Sequence, residues 1–154
     1  MTMTAQDIFH SVDFETFDDQ GLNVLLVDDS PLQQQVLTFF LKQLGHRVIL
    51  ASDGCQAIYE TQYSKTIDLI LMDCVMPIMD GFQATRLIRQ AEIKTGNHIA
   101  IIGTSSTALA EECFAAGMDD FLHKPLNKMI LKAILGNWNR QKRSFRDRRH
   151  IAVL

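Results

Sequence analysis

The sequence predicts an α/β domain built on a parallel sheet with helices on both faces. Three observations predict it. Short apolar runs rich in Val, Ile and Leu recur through residues 22–138 with little polar alternation, and strands of that kind are buried on both faces. Longer stretches carry apolar residues at helical spacing. The two kinds of segment alternate from end to end, the pattern of parallel strands joined by crossover helices.

The first strand is Asn23–Val27 (NVLLV). Ser30-Pro31 then opens a helix, with a capping hydroxyl ahead of Pro in the first turn. Leu32, Val36, Phe39, Phe40 and Leu44 recur along it, and Gly45 is placed to stop it. Arg47–Ala51 is the second strand, and Asp53-Gly54 after it reads as a turn. Ile67–Met72 is the third strand; Asp80-Gly81 reads as another turn, ahead of a helix carrying Ala84, Leu87, Ile88 and Ala91. Ile99–Gly103 is the fourth strand, followed by a helix with Leu109, Cys113 and Ala116 and a stop at Gly117. Asp120–His123 is a fifth, weaker strand. Asn127 caps a last helix through Ile130, Ile134 and Trp138, in which Gly136 costs about 1 kcal/mol.

At 154 residues the chain is the size of one domain with tails. Its net charge of −3 points to neither nucleic acid nor membrane. The charge is uneven, however. Residues 1–20 hold Asp7, Asp13, Glu15, Asp18 and Asp19 and no Lys or Arg, whereas Arg140, Lys142, Arg143, Arg146, Arg148 and Arg149 crowd the other end. The expected organisation is therefore an acidic extension over 1–21, a folded domain over 22–139 and a basic tail over 140–154. Cys55, Cys74 and Cys113 are dispersed, which fits a reducing compartment better than a disulfide framework. The histidines show no metal-binding spacing. With no secretory leader and no apolar run of the ~20 residues a bilayer requires, the expected location is the cytoplasm.

In an open parallel sheet, ligands sit at the carboxyl ends of the strands. There the first strand ends in Asp28-Asp29, the third in Asp73, the fourth in Thr104-Ser105 and the fifth in Lys124-Pro125. Three carboxylates in one cleft repel unless a cation joins them, and oxygen ligands that leave room for water suit Mg²⁺. With its charge neutralised in this way, Asp73 is a usable nucleophile toward phosphorus. Lys124 and Thr104 then offer a point charge and a hydroxyl donor for the transferring phosphoryl oxygens. Asp29 before Ser30-Pro31 also reads as an ordinary helix cap, but that reading leaves Asp28 and Asp73 unexplained.

The segments VLLVDDSPLQQQVL, GHRVILASDGCQAI, DLILMDCVMPIMDGFQATRLIR, IAIIGTSS and AGMDDFLHKP resemble, in order and with near-usual gaps, the receiver domains of two-component response regulators. The third is most similar to receivers of hybrid kinases and phosphorelays. The resemblance implies a flavodoxin-like sheet in the order 2-1-3-4-5. It implies Asp73 as phosphoacceptor, Asp29 as a direct Mg²⁺ ligand, Asp28 as one acting mainly through water, and the backbone carbonyl of Val75 as a third protein ligand. Thr104 would hydrogen-bond the phosphoryl group, Lys124 would pair with it, and Phe121 would turn inward as Thr104 moves. The implied partners are a histidine kinase or histidine phosphotransfer domain, and a protein target on the face made by the fourth helix, fifth strand and fifth helix; a homodimer stays open. The implied role is a signalling phosphoacceptor, not an enzyme, that supports its own Mg²⁺-dependent phosphorylation and dephosphorylation.

Two alternatives are weaker. The basic tail lacks the length of a helix-turn-helix and interleaves only Phe145, which argues against a nucleic-acid partner. Mg²⁺-dependent phosphatases of related topology usually carry a second Asp two residues after the nucleophile, where this chain has Val75.

Further expectations follow from the departures and the ends. Gly103, where bulkier residues are common, is expected to loosen its strand end, and Ser105 replaces a usual Ala. Val75 and Ser106 offer little to orient a hydrolytic water, so the acyl phosphate is expected to be long-lived. Lys124-Pro125 is expected cis, in the turn that brings the ammonium back over the cleft. One or both tails, through Ile8, Phe9, Val12, Phe14, Phe17 and Phe145, are expected to dock on the fourth helix, fifth strand and fifth helix, or on a second subunit.

Overall fold

The computed structural model describes residues 21–64 and 66–151, the side chains of 143–151 excepted. The docking expected of residues 1–20 lies outside them. Five strands, β1 (Asn23–Val27), β2 (Arg47–Ala51), β3 (Leu69–Asp73), β4 (Ala100–Ser105) and β5 (Asp120–His123), alternate with five helices, α1 (Pro31–Gln43), α2 (Gly54–Tyr63), α3 (Gly81–Thr95), α4 (Ala110–Ala116) and α5 (Lys128–Ile151). All strand pairs are parallel, in the order β2-β1-β3-β4-β5.

Successive strand residues point to opposite faces, so each strand feeds two cores. Leu25, Val27, Ile70, Met72 and Ile101 pack with Ala57 of α2, Ala84 and Ile88 of α3 and Cys113 of α4. Val24, Leu26, Leu69, Leu71 and Ile102 pack with Leu37 and Leu41 of α1 and Leu131 and Leu135 of α5. The central strands β1, β3 and β4 are almost wholly apolar because both faces are covered, whereas the edge strands β2 and β5 are only partly buried.

The helix starts follow local chemistry. Ser30 Oγ accepts from the Gln33 N–H at 3.3 Å, with Pro31 opening α1, and Asn127 Oδ1 accepts from the Ile130 N–H at 2.9 Å. Gly45 and Gly117 end their helices at φ 88° and 106°, where a Cβ would be strained. Asp53 and Asp80 are helix N-caps, accepting from the N–H groups of Gln56 and Gln83 at 2.8 Å each, so the two Asp-Gly pairs open α2 and α3 instead of making isolated turns.

The buried helix faces differ in phase from the expected ones. α1 buries Leu37 and Leu41 and leaves Leu32, Val36 and Phe39 exposed. Leu87 and Ala91 of α3 and Leu109 before α4 are exposed too. α5 buries Leu131 and Leu135, with Ile130, Ile134 and Trp138 only partly covered. With apolar residues on several sides of each helix, periodicity alone does not choose the inward stripe. β3 and β4 start later and end later than the apolar runs suggested, running on into Asp73 and Ser105. The basic segment continues the last helix, since α5 runs unbroken from Lys128 to Ile151. Among the described residues no helix is long and apolar enough to cross a membrane.

Candidate functional site

The C-terminal edge of the sheet gathers the residues the sequence singled out. β1 delivers Asp28 and Asp29, β3 delivers Asp73, and the three carboxylates lie within 4.8 Å of one another. Asp28 and Asp73 are buried and Asp29 is exposed. Local bonds fix the two buried ones. Asp28 Oδ1 accepts the Ser30 N–H at 2.9 Å, and the Gln34 amide donates to the Asp28 carbonyl at 2.7 Å. Asp73 Oδ1 accepts the Val75 N–H at 3.3 Å.

Lys124 joins the cluster from the end of β5. Its Nζ donates to Asp28 Oδ2 at 3.1 Å and lies 3.3 Å from Asp73 Oδ2. The Lys124 N–H is held by the Ser105 carbonyl at 2.9 Å, and the Lys124-Pro125 bond is cis, as expected. Thr104 is buried and stands beside Asp73 in the β3–β4 register, with Leu122 on its other side. Phe121 neighbours Gly103, packs partly buried against the core, and meets the His123 ring edge-on at a centroid distance of 5.1 Å.

The electrostatics are unbalanced. Burial, with Asp28 adding to it, raises Asp73 to about 6 in spite of Lys124 and the Val75 N–H. Burial works to lower Lys124, but Asp73 and Asp28 outweigh it and the ammonium is held charged more firmly than usual. Among the described residues, one cation thus faces three carboxylates. A small divalent ion with oxygen ligands and retained water fits this donor set, because Asp29 opens to solvent while Asp28 and Asp73 wall the inner side.

Several residues of the site were not found from sequence. A Cβ on Gly81 would sit 2.2 Å from the Asp73 carbonyl oxygen, so α3 starts in contact with the Asp73 backbone. A Cβ on Gly54 would meet Met79 of the loop after β3 at 2.8 Å. Both glycines belong to the Asp-Gly pairs read as turns. Ser105, buried, accepts the N–H groups of Thr107 and Ala108 at 3.1 and 2.9 Å and so orders the loop after β4. Gly103 does not loosen its strand end. Met118 Sδ, Cys113 Sγ and Cys74 Sγ crowd the place a Cβ would take, at 2.5, 3.2 and 3.2 Å. Cys74 and Cys113 are buried free thiols 3.6 Å apart, and burial raises both, Cys74 well above the usual thiol range. Ile78, in the loop between β3 and α3, is 89% exposed with φ 71°, a conformation costly for a β-branched residue.

Residues 24–135 match the family described as response regulator receiver domain. The chain is 37% identical over 120 residues to hybrid signal transduction histidine kinase E of Dictyostelium discoideum, covering 75% of this chain but only 7% of that protein. Among solved structures, the receiver domain of a sensor histidine kinase from Pseudomonas aeruginosa PAO1, with magnesium coordinated in its active-site cleft, is 42% identical at a TM-score of 0.69, covering 77% of this chain and 97% of that one. The receiver domain of Ssk1 from Saccharomyces cerevisiae, crystallised with the histidine phosphotransfer protein Ypd1, gives a TM-score of 0.74 at 25% identity, covering 79% and 91%.

Proposed function

The chain belongs to the response regulator receiver domain family, and on that premise we propose that it accepts a phosphoryl group from a phosphohistidine onto Asp73. The observation that carries this reading is the gathering of Asp28, Asp29 and Asp73 within 4.8 Å, with Lys124 Nζ 3.3 Å from Asp73. An Asp73 carboxylate oxygen attacks phosphorus as the bond to the donor imidazole breaks, and an acyl phosphate forms. Lys124 is already turned toward Asp73 and pairs with the phosphoryl oxygens. Thr104, next to Asp73 in register, supplies a hydroxyl donor. Asp28, Asp29, Asp73 and the Val75 carbonyl would hold Mg²⁺, which would neutralise carboxylate and phosphoryl charge.

The acyl phosphate is long-lived, because Val75 and Ser106 give a hydrolytic water no strong orienting group, and its slow loss is catalysed by the same site. Phe121 follows Thr104 inward and alters the face of α4, β5 and α5 for a protein target. Onward transfer to a second histidine is the other output. A histidine phosphotransfer domain or histidine kinase is the proposed donor, in keeping with the Ypd1-bound relative. Exposed Leu32, Val75, Ile78 and Met129, from segments that follow β1, β3 and β5, offer it apolar contacts.

The test is transfer of labelled phosphate from a phosphorylated histidine phosphotransfer protein to the full chain. Labelling should require Mg²⁺ and stop in excess chelator. Undiminished transfer with chelator present would overturn the metal-assisted reading.

A further inference from the structure

At the N-terminal edge of the sheet, opposite the acidic cleft, lies an open groove of about 1070 Å³. The ends of α2 and α3 and the middle of α5 enclose it. Its apolar walls include Leu22, Ile67, Leu69, Ile88 and Trp138. Among the described residues, the Trp138 indole N–H is buried with no hydrogen-bond partner. Lys142 of α5 pairs with Asp68 at the rim, which ties the helix to this end of the body.

We propose that this groove is the docking site of the chain's own N-terminal segment, residues 1–20. Two observations select that occupant. The first is the tether. Leu22 is both a wall of the groove and the residue from which the chain enters β1. The segment therefore begins at the groove's lip, and a tethered segment acts at an effective concentration on the order of millimolar. The second is composition. Ile8, Phe9, Val12, Phe14 and Phe17 supply apolar side chains, and Asp7, Asp13, Glu15, Asp18 and Asp19 supply negative charge without any Lys or Arg. The groove is flanked by α5, whose continuation past Lys142 carries Arg143, Arg146, Arg148 and Arg149 in sequence. Apolar burial provides most of the attraction, and the opposite charges add a short-range contribution screened beyond about 8 Å. The tether favours this groove over the face of α4, β5 and α5 as the place where the segment docks.

Trp138 is the only tryptophan, so its fluorescence in the full chain reads the groove directly. Docking predicts blue-shifted emission, weak acrylamide quenching and no dependence on protein concentration. The triple variant Phe9→Ser, Phe14→Ser, Phe17→Ser should shift the emission to the red and raise the quenching constant about twofold or more, as an indole moved from an apolar wall toward water does. Far-UV circular dichroism should stay unchanged. A second variant, Asp13→Lys, Asp18→Lys, Asp19→Lys, should move both readings in the same direction. Identical emission and quenching in the wild type and both variants would overturn the proposal. Quenching that weakens as protein concentration rises would overturn it too, by making a second copy the occupant.

Discussion

At the N-terminal edge of the sheet, Asp119 and Glu92 share the Arg89 guanidinium; at the C-terminal edge, Asp28 and Asp73 share the Lys124 ammonium, with Asp29 beside them. Arg89 donates to Asp119 and Glu92 at 2.7 Å each, and to the carbonyls of Gly117 and Ile99 at 2.8 and 2.9 Å. The carboxylates are satisfied further by the N–H groups of Ile101 and Ile99, at 2.9 and 2.8 Å, and Asp119 by His98 at 2.7 Å. This network ties the end of α3 to the starts of β4 and β5. The acidic cleft has no such balance, and burial leaves Asp73 raised to about 6. Carboxylates met by a guanidinium and by backbone N–H groups hold the fold in register, whereas carboxylates left short of donors leave room for a cation.

Breaking the matched end should cost most. Arg89→Ala strands two half-buried carboxylates and should lower stability by about 3 kcal/mol, read as a lower urea midpoint. The folded fraction should still accept phosphate. A loss confined to labelling, with stability intact, would erase the contrast between the two ends.

Relieving the unmatched end should have the opposite sign. An unfolded Asp73 ionises near 3.8 and the folded one near 6. Stability from this group is therefore complete below 3.8, is lost as pH rises through 6, and stays lost above. Without divalent ions at pH 7.5, Asp73→Asn should stabilise the fold by about 3 kcal/mol at most. The gain should shrink to about half by pH 5 and be offset when Mg²⁺ saturates the wild type. Thermal melts across that pH range check it, and a destabilised variant at pH 7.5 would mean that Lys124 already balances the cleft.

The smallest effect concerns the loop over the cleft. Ile78→Asn at φ 71° should stabilise by up to about 1 kcal/mol while slowing transfer from a protein donor more than from a small-molecule donor. Equal slowing with both donors would place Ile78 in the chemistry and not in docking.

Much of this was legible in the sequence because parallel topology turns strand ends into geometry. Asp28, Asp29, Asp73, Thr104 and Lys124 each follow or close an apolar run, and the fold brings all of them to one edge. What stayed hidden depends on contacts distant in sequence. Gly81 looked like half of a turn because the chain alone does not show that the Asp73 carbonyl occupies its Cβ position. Gly103 looked loosening because the sulfurs of Met118, Cys113 and Cys74 that surround it come from other elements. The inward stripes of α1 and α5 were missed because apolar residues such as Phe39 and Met129 also line their outer faces. The Arg89 network joins residues up to 30 positions apart, with no local motif to announce it.

Site mapping after labelling with a small phosphodonor such as acetyl phosphate and Mg²⁺ tests the proposed role of Asp73 as phosphoacceptor most directly. The wild type should carry an acyl phosphate, released by hydroxylamine, on the peptide containing Asp73, and Asp73→Asn should carry none. Label that persists in Asp73→Asn, stable to acid and hydroxylamine, would move the site to a Ser or Thr and contradict the account.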